Sequence, residues 1–72
     1  MTDMDYADLF TLVVDSTDSP VRIYVWGDYR IEWDAVFEAG TLYRVEGHQW
    51  VSLTPPRNEL SFEQLARMAV QS

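Results

Sequence analysis

At 72 residues, with 47% hydrophobic side chains that include three Trp, four Tyr and three Phe, the sequence describes a single folded domain, not an acidic disordered tail. A chain of this size buries only about 60% of its unfolded surface, so its core must be dense. It has no cysteine, and twelve acidic residues stand against five basic ones for a formal net charge of -7. That excludes disulfides and thiolate metal sites and disfavours direct contact with nucleic-acid phosphates or an anionic membrane, while an electropositive protein surface would be attracted.

The charge is uneven. Asp3, Asp5, Asp8, Asp15 and Asp18 lie in the first 21 residues without one basic side chain, whereas all five Arg fall from Arg22 onward. No apolar run approaches the roughly 18 residues of a membrane span, and Met1 to Tyr6 is acidic where a signal peptide begins basic, so the expected location is cytoplasmic.

Thr2 is a candidate N-cap for a short helix reaching Leu9 or Phe10, with Asp3 and Asp5 in its first turn. Phe10 to Val14 is β-branched and apolar, and the turn formers from Asp15 to Pro20 end it, which predicts a strand and a loop. Val21, Ile23 and Val25 then alternate with Arg22, Tyr24 and Trp26; Ile31, Trp33 and Ala35 alternate with Arg30, Glu32 and Asp34. These are two paired strands around Gly27-Asp28. A two-residue turn would mix Val25 with Arg30 and Ile23 with Glu32 on one face. A three-residue loop from Gly27 to Tyr29 keeps one face wholly apolar and sets Trp26 against Arg30, Tyr24 against Glu32 and Arg22 against Asp34 on the other. The sequence favours the second register, with Tyr24 and Trp26 facing water or, alternatively, lying beneath the C-terminal helix or a second copy.

Val36 to Gly40 reads as a strand ending or a helical turn, punctuated by Gly40. Thr41 to Val45 and Gln49 to Leu53 form a hairpin around Glu46-Gly47-His48, with Tyr43, Val45 and Trp50 on one face. Thr54-Pro55-Pro56-Arg57 ends the sheet. Ser61 and Gln64 then make a capping box, Leu60 and Leu65 a staple, and a helix begins at Phe62 with Leu65, Ala66 and Ala69 on its apolar stripe and Glu63 and Arg67 spaced i,i+4 outside. The predicted fold is α+β: a small, mainly antiparallel sheet of about four strands with a C-terminal helix packed on one face, in one domain over residues 1–72 with an acidic segment at 1–9.

The catalytic inventory is thin. His48 is the single histidine and follows a turn glycine; there is no Cys or Lys, and no serine stands beside a fixed base. Glu32 with Asp34 and Asp15 with Asp18 are paired carboxylates, yet so small a sheet leaves little room for a cleft, and Asp15 and Asp18 read as turn formers. The three glycines occupy turns instead of a phosphate loop. The sequence therefore predicts no enzyme, no cofactor and no metal.

A protein-binding surface remains. Its candidate residues are Asp3, Asp5, Asp8, Asp15, Asp18, Tyr24, Trp26, Glu32 and Asp34: carboxylates where phosphates would otherwise sit, and aromatics suited to a binding hot spot. In size, acidity and lack of catalytic side chains the chain resembles the small inhibitors that phages encode against host or CRISPR nucleases and polymerases. The resemblance implies an inhibitor that occludes an electropositive, nucleic-acid-binding protein. The alternative is a homo-oligomeric structural subunit, joined through the aromatic sheet face or a free edge at Phe10 to Val14.

Overall fold

The computed structural model describes residues 5–15, 18–55 and 58–71. Strands β1 (Thr11–Asp15), β2 (Val21–Trp26), β3 (Tyr29–Asp34), β4 (Ala39–Glu46) and β5 (Gln49–Ser52) form an antiparallel sheet in sequential order, and helix α1 (Phe62–Gln71) follows. The class is the expected α+β, with five strands where about four were anticipated. The strand expected over Phe10 to Val14 lies one residue later, at the edge of the sheet, with an irregularity between Leu12 and Val14 that twists it, and Phe10 is instead a buried core residue ahead of it.

At the N-terminal end, Tyr6–Leu9 is a single 3-10 turn preceded by an extended Asp5 that makes no side-chain cap. Thr2 and Asp3, the proposed cap and first-turn acid, lie outside the described residues.

The β2–β3 register is the one the sequence reading rejected. Trp26 pairs with Tyr29, Val25 with Arg30, Tyr24 with Ile31 and Ile23 with Glu32, around a two-residue turn at Gly27-Asp28. Gly27 has φ 58°, the conformation that a type II′ hairpin places at its first central position, so the glycine suits the two-residue turn. Face composition misled the reading because the buried face is built of aromatics. Tyr24, Trp26, Tyr29 and Trp33 surround the fully buried Ile31 and Leu42, and α1 closes over them with Leu65, Ala66 and Ala69. Phe62 meets Tyr24 edge-on at 4.6 Å between centroids and Trp33 at 5.6 Å. Each fully buried Leu or Ile contributes roughly 1.5–3 kcal/mol. The β-branched residues Val21, Ile23 and Val25 take the opposite face, which no element among the described residues covers.

With that register the expected Trp26–Arg30, Tyr24–Glu32 and Arg22–Asp34 pairs dissolve. Trp26 stacks on Tyr29 at 5.9 Å, and the Arg22 Nε donates to Asp15 Oδ1 at 3.1 Å. The β4–β5 hairpin turns at Gly47-His48, which sets Trp50 opposite Val45 and leaves it on the face of Tyr43 and Val45, as expected. Gly40 belongs to β4 instead of ending a segment. Beyond β5, the Thr54 hydroxyl accepts the Leu42 N–H at 3.2 Å, and the Asn58 amide donates to the Gly40 carbonyl at 2.9 Å.

The capping box of α1 is present in both directions: Ser61 N–H to Gln64 Oε1 at 2.8 Å, and Gln64 N–H to Ser61 Oγ at 3.2 Å. Glu63, expected to face solvent, instead accepts the Tyr6 N–H at 2.6 Å and the Ala7 N–H at 2.9 Å. Two donors at the start of the 3-10 turn would otherwise be unpaired, and a carboxylate there is favoured by the local dipole. Arg67, one turn on, places its guanidinium 5.7 Å from the centre of the Tyr6 ring.

Candidate partner-binding surface

Strand order brings two connections to one end of the sheet. β1 runs into the β1–β2 loop and β3 into the turn over residues 35–38, and the Ala35 N–H donates to the Pro20 carbonyl at 3.1 Å between them. Asp15, Asp18, Asp34 and Glu38 therefore gather at this end, with Glu32 two residues inside it on the uncovered face. Arg22, paired with Asp15, is the one basic side chain among the described residues of these strand ends and connections.

The turn is held by its own acid. Asp34 Oδ1 accepts the N–H groups of Val36 at 2.9 Å and Phe37 at 3.1 Å, and Glu38 completes the reversal in the left-handed region at φ 53°. Held in this way, Val36 is 70% and Phe37 79% exposed. Beside them is an open cleft of about 630 Å³ lined by Val21, Glu32, Asp34, Phe37, Gly40 and Thr41, among others.

Three more cations among the described residues are engaged elsewhere. The guanidinium of Arg30 lies 5.2 Å from the Trp50 ring centre, that of Arg44 6.0 Å from Tyr29, and that of Arg67 against Tyr6. An Arg held on an aromatic face keeps its charge but is fixed in place and is not free to swing toward a distant carboxylate. Glu32, Asp34 and Glu38 form no salt bridge with any described residue. Like charges collected over a low-dielectric sheet raise the local negative potential, and this end is its focus.

Of the residues singled out in the sequence, Asp15, Asp18, Glu32 and Asp34 are brought together. Asp5 and Asp8 are exposed but lie on the helix side, ahead of β1, and Asp3 is outside the described residues. Tyr24 and Trp26 are half-buried beneath α1 and against Phe10, so the water-facing placement is corrected: the two-residue turn inverts their face. Sequence reading passed over Val36, Phe37 and Glu38. Their signal was an apolar pair flanked by acids within a turn, where side chains point outward.

His48 sits exposed in the β4–β5 turn at the other end of the sheet. No group of three or more His, Asp or Glu among the described residues could hold a metal ion, and no helix there is long and apolar enough to cross a membrane. Compared with known proteins, the chain matches no family model, no curated protein and no solved structure.

Proposed function

We propose that this chain is a small acidic inhibitor that binds a protein with an electropositive, nucleic-acid-binding surface and occludes it, in the manner of a nucleic-acid mimic. The observation that carries this reading is the gathering of Asp15, Asp18, Asp34 and Glu38 at one end of the sheet around the exposed Val36 and Phe37. Carboxylates in a cluster substitute for phosphates against Lys and Arg, and their field raises association rates by roughly 10- to 1000-fold. Phe37 supplies what charge alone does not: a large apolar side chain whose burial contributes about 1.5–3 kcal/mol, on a turn already ordered by Asp34 and therefore at little entropic cost. Mimicry of this kind needs no catalytic group, cofactor or metal, and an acidic inhibitor of the type phages direct at nucleases works in this way.

The test is capture on the immobilised chain from a bacterial lysate, followed by a gel-shift assay of the captured protein. The reading expects a protein released by salt whose binding to DNA or RNA is blocked by the chain and restored when Asp18→Asn, Asp34→Asn and Glu38→Gln are combined. A captured protein that binds nucleic acid equally well with or without the chain contradicts it. Asp34→Asn is chosen because an amide oxygen still accepts the Val36 and Phe37 N–H groups, so the turn survives loss of the charge.

A further inference from the structure

The sheet has one covered face and one open one. The open face carries Ile23 and Val25 on β2, Arg30 and Glu32 on β3, Tyr43 and Val45 on β4 and Trp50 on β5; none of them is fully buried, and Trp50 is 41% exposed. At its centre Arg30, Glu32, Tyr43 and Trp50 surround a hollow of about 230 Å³. The Nε of Arg30 is buried and has no hydrogen-bond acceptor among the described residues.

We infer that this face is closed by a second copy of the chain, packed sheet on sheet about a two-fold axis that crosses the strands at the level of Ile31. Charge order selects both the occupant and the axis. Arg30 and Glu32 are successive residues of one face of the central strand, so an axis perpendicular to the strands sets each Arg30 over Glu32 of the second copy, twice by symmetry, and Val25 over its Ile23. An axis along the strands would set Arg30 on Arg30 and Glu32 on Glu32. A uniformly basic partner would meet Arg30, and an acidic one Glu32; a second copy satisfies both.

The footprint is small. Five strands at about 4.8 Å spacing and six residues at about 3.3 Å give roughly 480 Å² per copy before side-chain relief, about 960 Å² over the two copies, close to the about 1,000 Å² total at which specific interfaces begin. Antiparallel stacking also keeps the two acidic ends at opposite extremes of the dimer, so like charges are far apart, and Asp18, Phe37 and Glu38, in the connections beyond the strands, lie outside the footprint. This inference does not depend on what the acidic ends bind.

Sedimentation equilibrium of the wild-type chain and of the single variants Arg30→Glu and Glu32→Arg tests it, with circular dichroism confirming the fold. The expected result is a dimer for the wild type at about 100 µM, above the micromolar range of weak standard-size interfaces, monomers for each variant alone, and a dimer again when the two variants are mixed in equal amounts, because every reversed charge then meets its complement. A wild-type monomer at that concentration overturns the inference, as does a dimer that persists in both single variants. If either reversal unfolds the chain, Val25→Lys takes its place: it adds a cation beside Arg30 without touching the helix-covered face, and a surviving dimer in that variant overturns the inference equally.

Discussion

Gly40 lies directly against Trp33 across the β3–β4 ladder: a β-carbon on Gly40 would come within 2.7 Å of the indole Cε3 and 2.6 Å of the Glu32 carbonyl oxygen. Because one of those neighbours is backbone, the strand itself would have to move. Gly40→Ala is therefore expected to destabilise the fold by on the order of 1–3 kcal/mol, the usual cost of overpacking, and urea denaturation should show a lower midpoint at unchanged slope. Unchanged stability would mean that Trp33 does not rest on the glycine.

The face assignment has an equally direct consequence. Trp26 packs against Phe10 and Tyr29 beneath the helix, while Ile23, one face over, has no covering element among the described residues. Trp26→Ala should cost about 3 kcal/mol, the low end for large aromatic truncations. Ile23→Ala in the monomer should cost under about 1 kcal/mol, as for residues outside the core. A reversed order of the two, measured by thermal or chemical unfolding of a monomeric variant, would restore the three-residue loop.

Glu63 ties the two ends of the chain together through the Tyr6 and Ala7 amides. Glu63→Gln keeps one acceptor oxygen and loses the charge, so one donor is orphaned. Hydrogen exchange at Tyr6 and Ala7 should accelerate by about tenfold, equivalent to ~1.4 kcal/mol, with exchange in β3 and β4 unaltered. Equal protection in the variant and the wild type would show that the 3-10 turn is held by packing alone.

What was legible in the sequence was local. The Ser61–Gln64 capping box is a contact three residues apart, and the Gly47-His48 hairpin has a parity that survives either turn position, so both are written in short stretches of chain. The β2–β3 register was not, because alternation separates two faces without saying which one the helix will take. Here α1 takes the aromatics, and the rule that aliphatic residues form the core pointed the wrong way. The Glu63 contact spans 57 residues and has no local signature. The candidate site was half legible: the acids Asp15, Asp18, Glu32 and Asp34 stood out by type, but their convergence, and the exclusion of Asp5 and Asp8, follow from strand order. Phe37 was missed because its exposure depends on the Asp34 turn.

Phe37 and its acidic surround separate into distinguishable contributions. Phe37→Ser should leave the association rate with a captured partner nearly unchanged and raise the dissociation rate by about tenfold or more, as loss of ~1.5 kcal/mol or more of apolar burial requires. Stopped-flow or surface-plasmon measurements resolve the two rates, and an unaltered dissociation rate would remove Phe37 from the interface.

The most direct measurement is the association rate constant of the captured partner as ionic strength is raised, for the wild-type chain and for the Asp18→Asn, Asp34→Asn, Glu38→Gln variant. Electrostatic occlusion predicts a fast wild-type rate that falls steeply with salt and a variant rate that is slower by roughly tenfold or more and nearly flat. Superimposable rates across the salt series would contradict the account, because the acidic end of the sheet would then play no part in drawing the partner in.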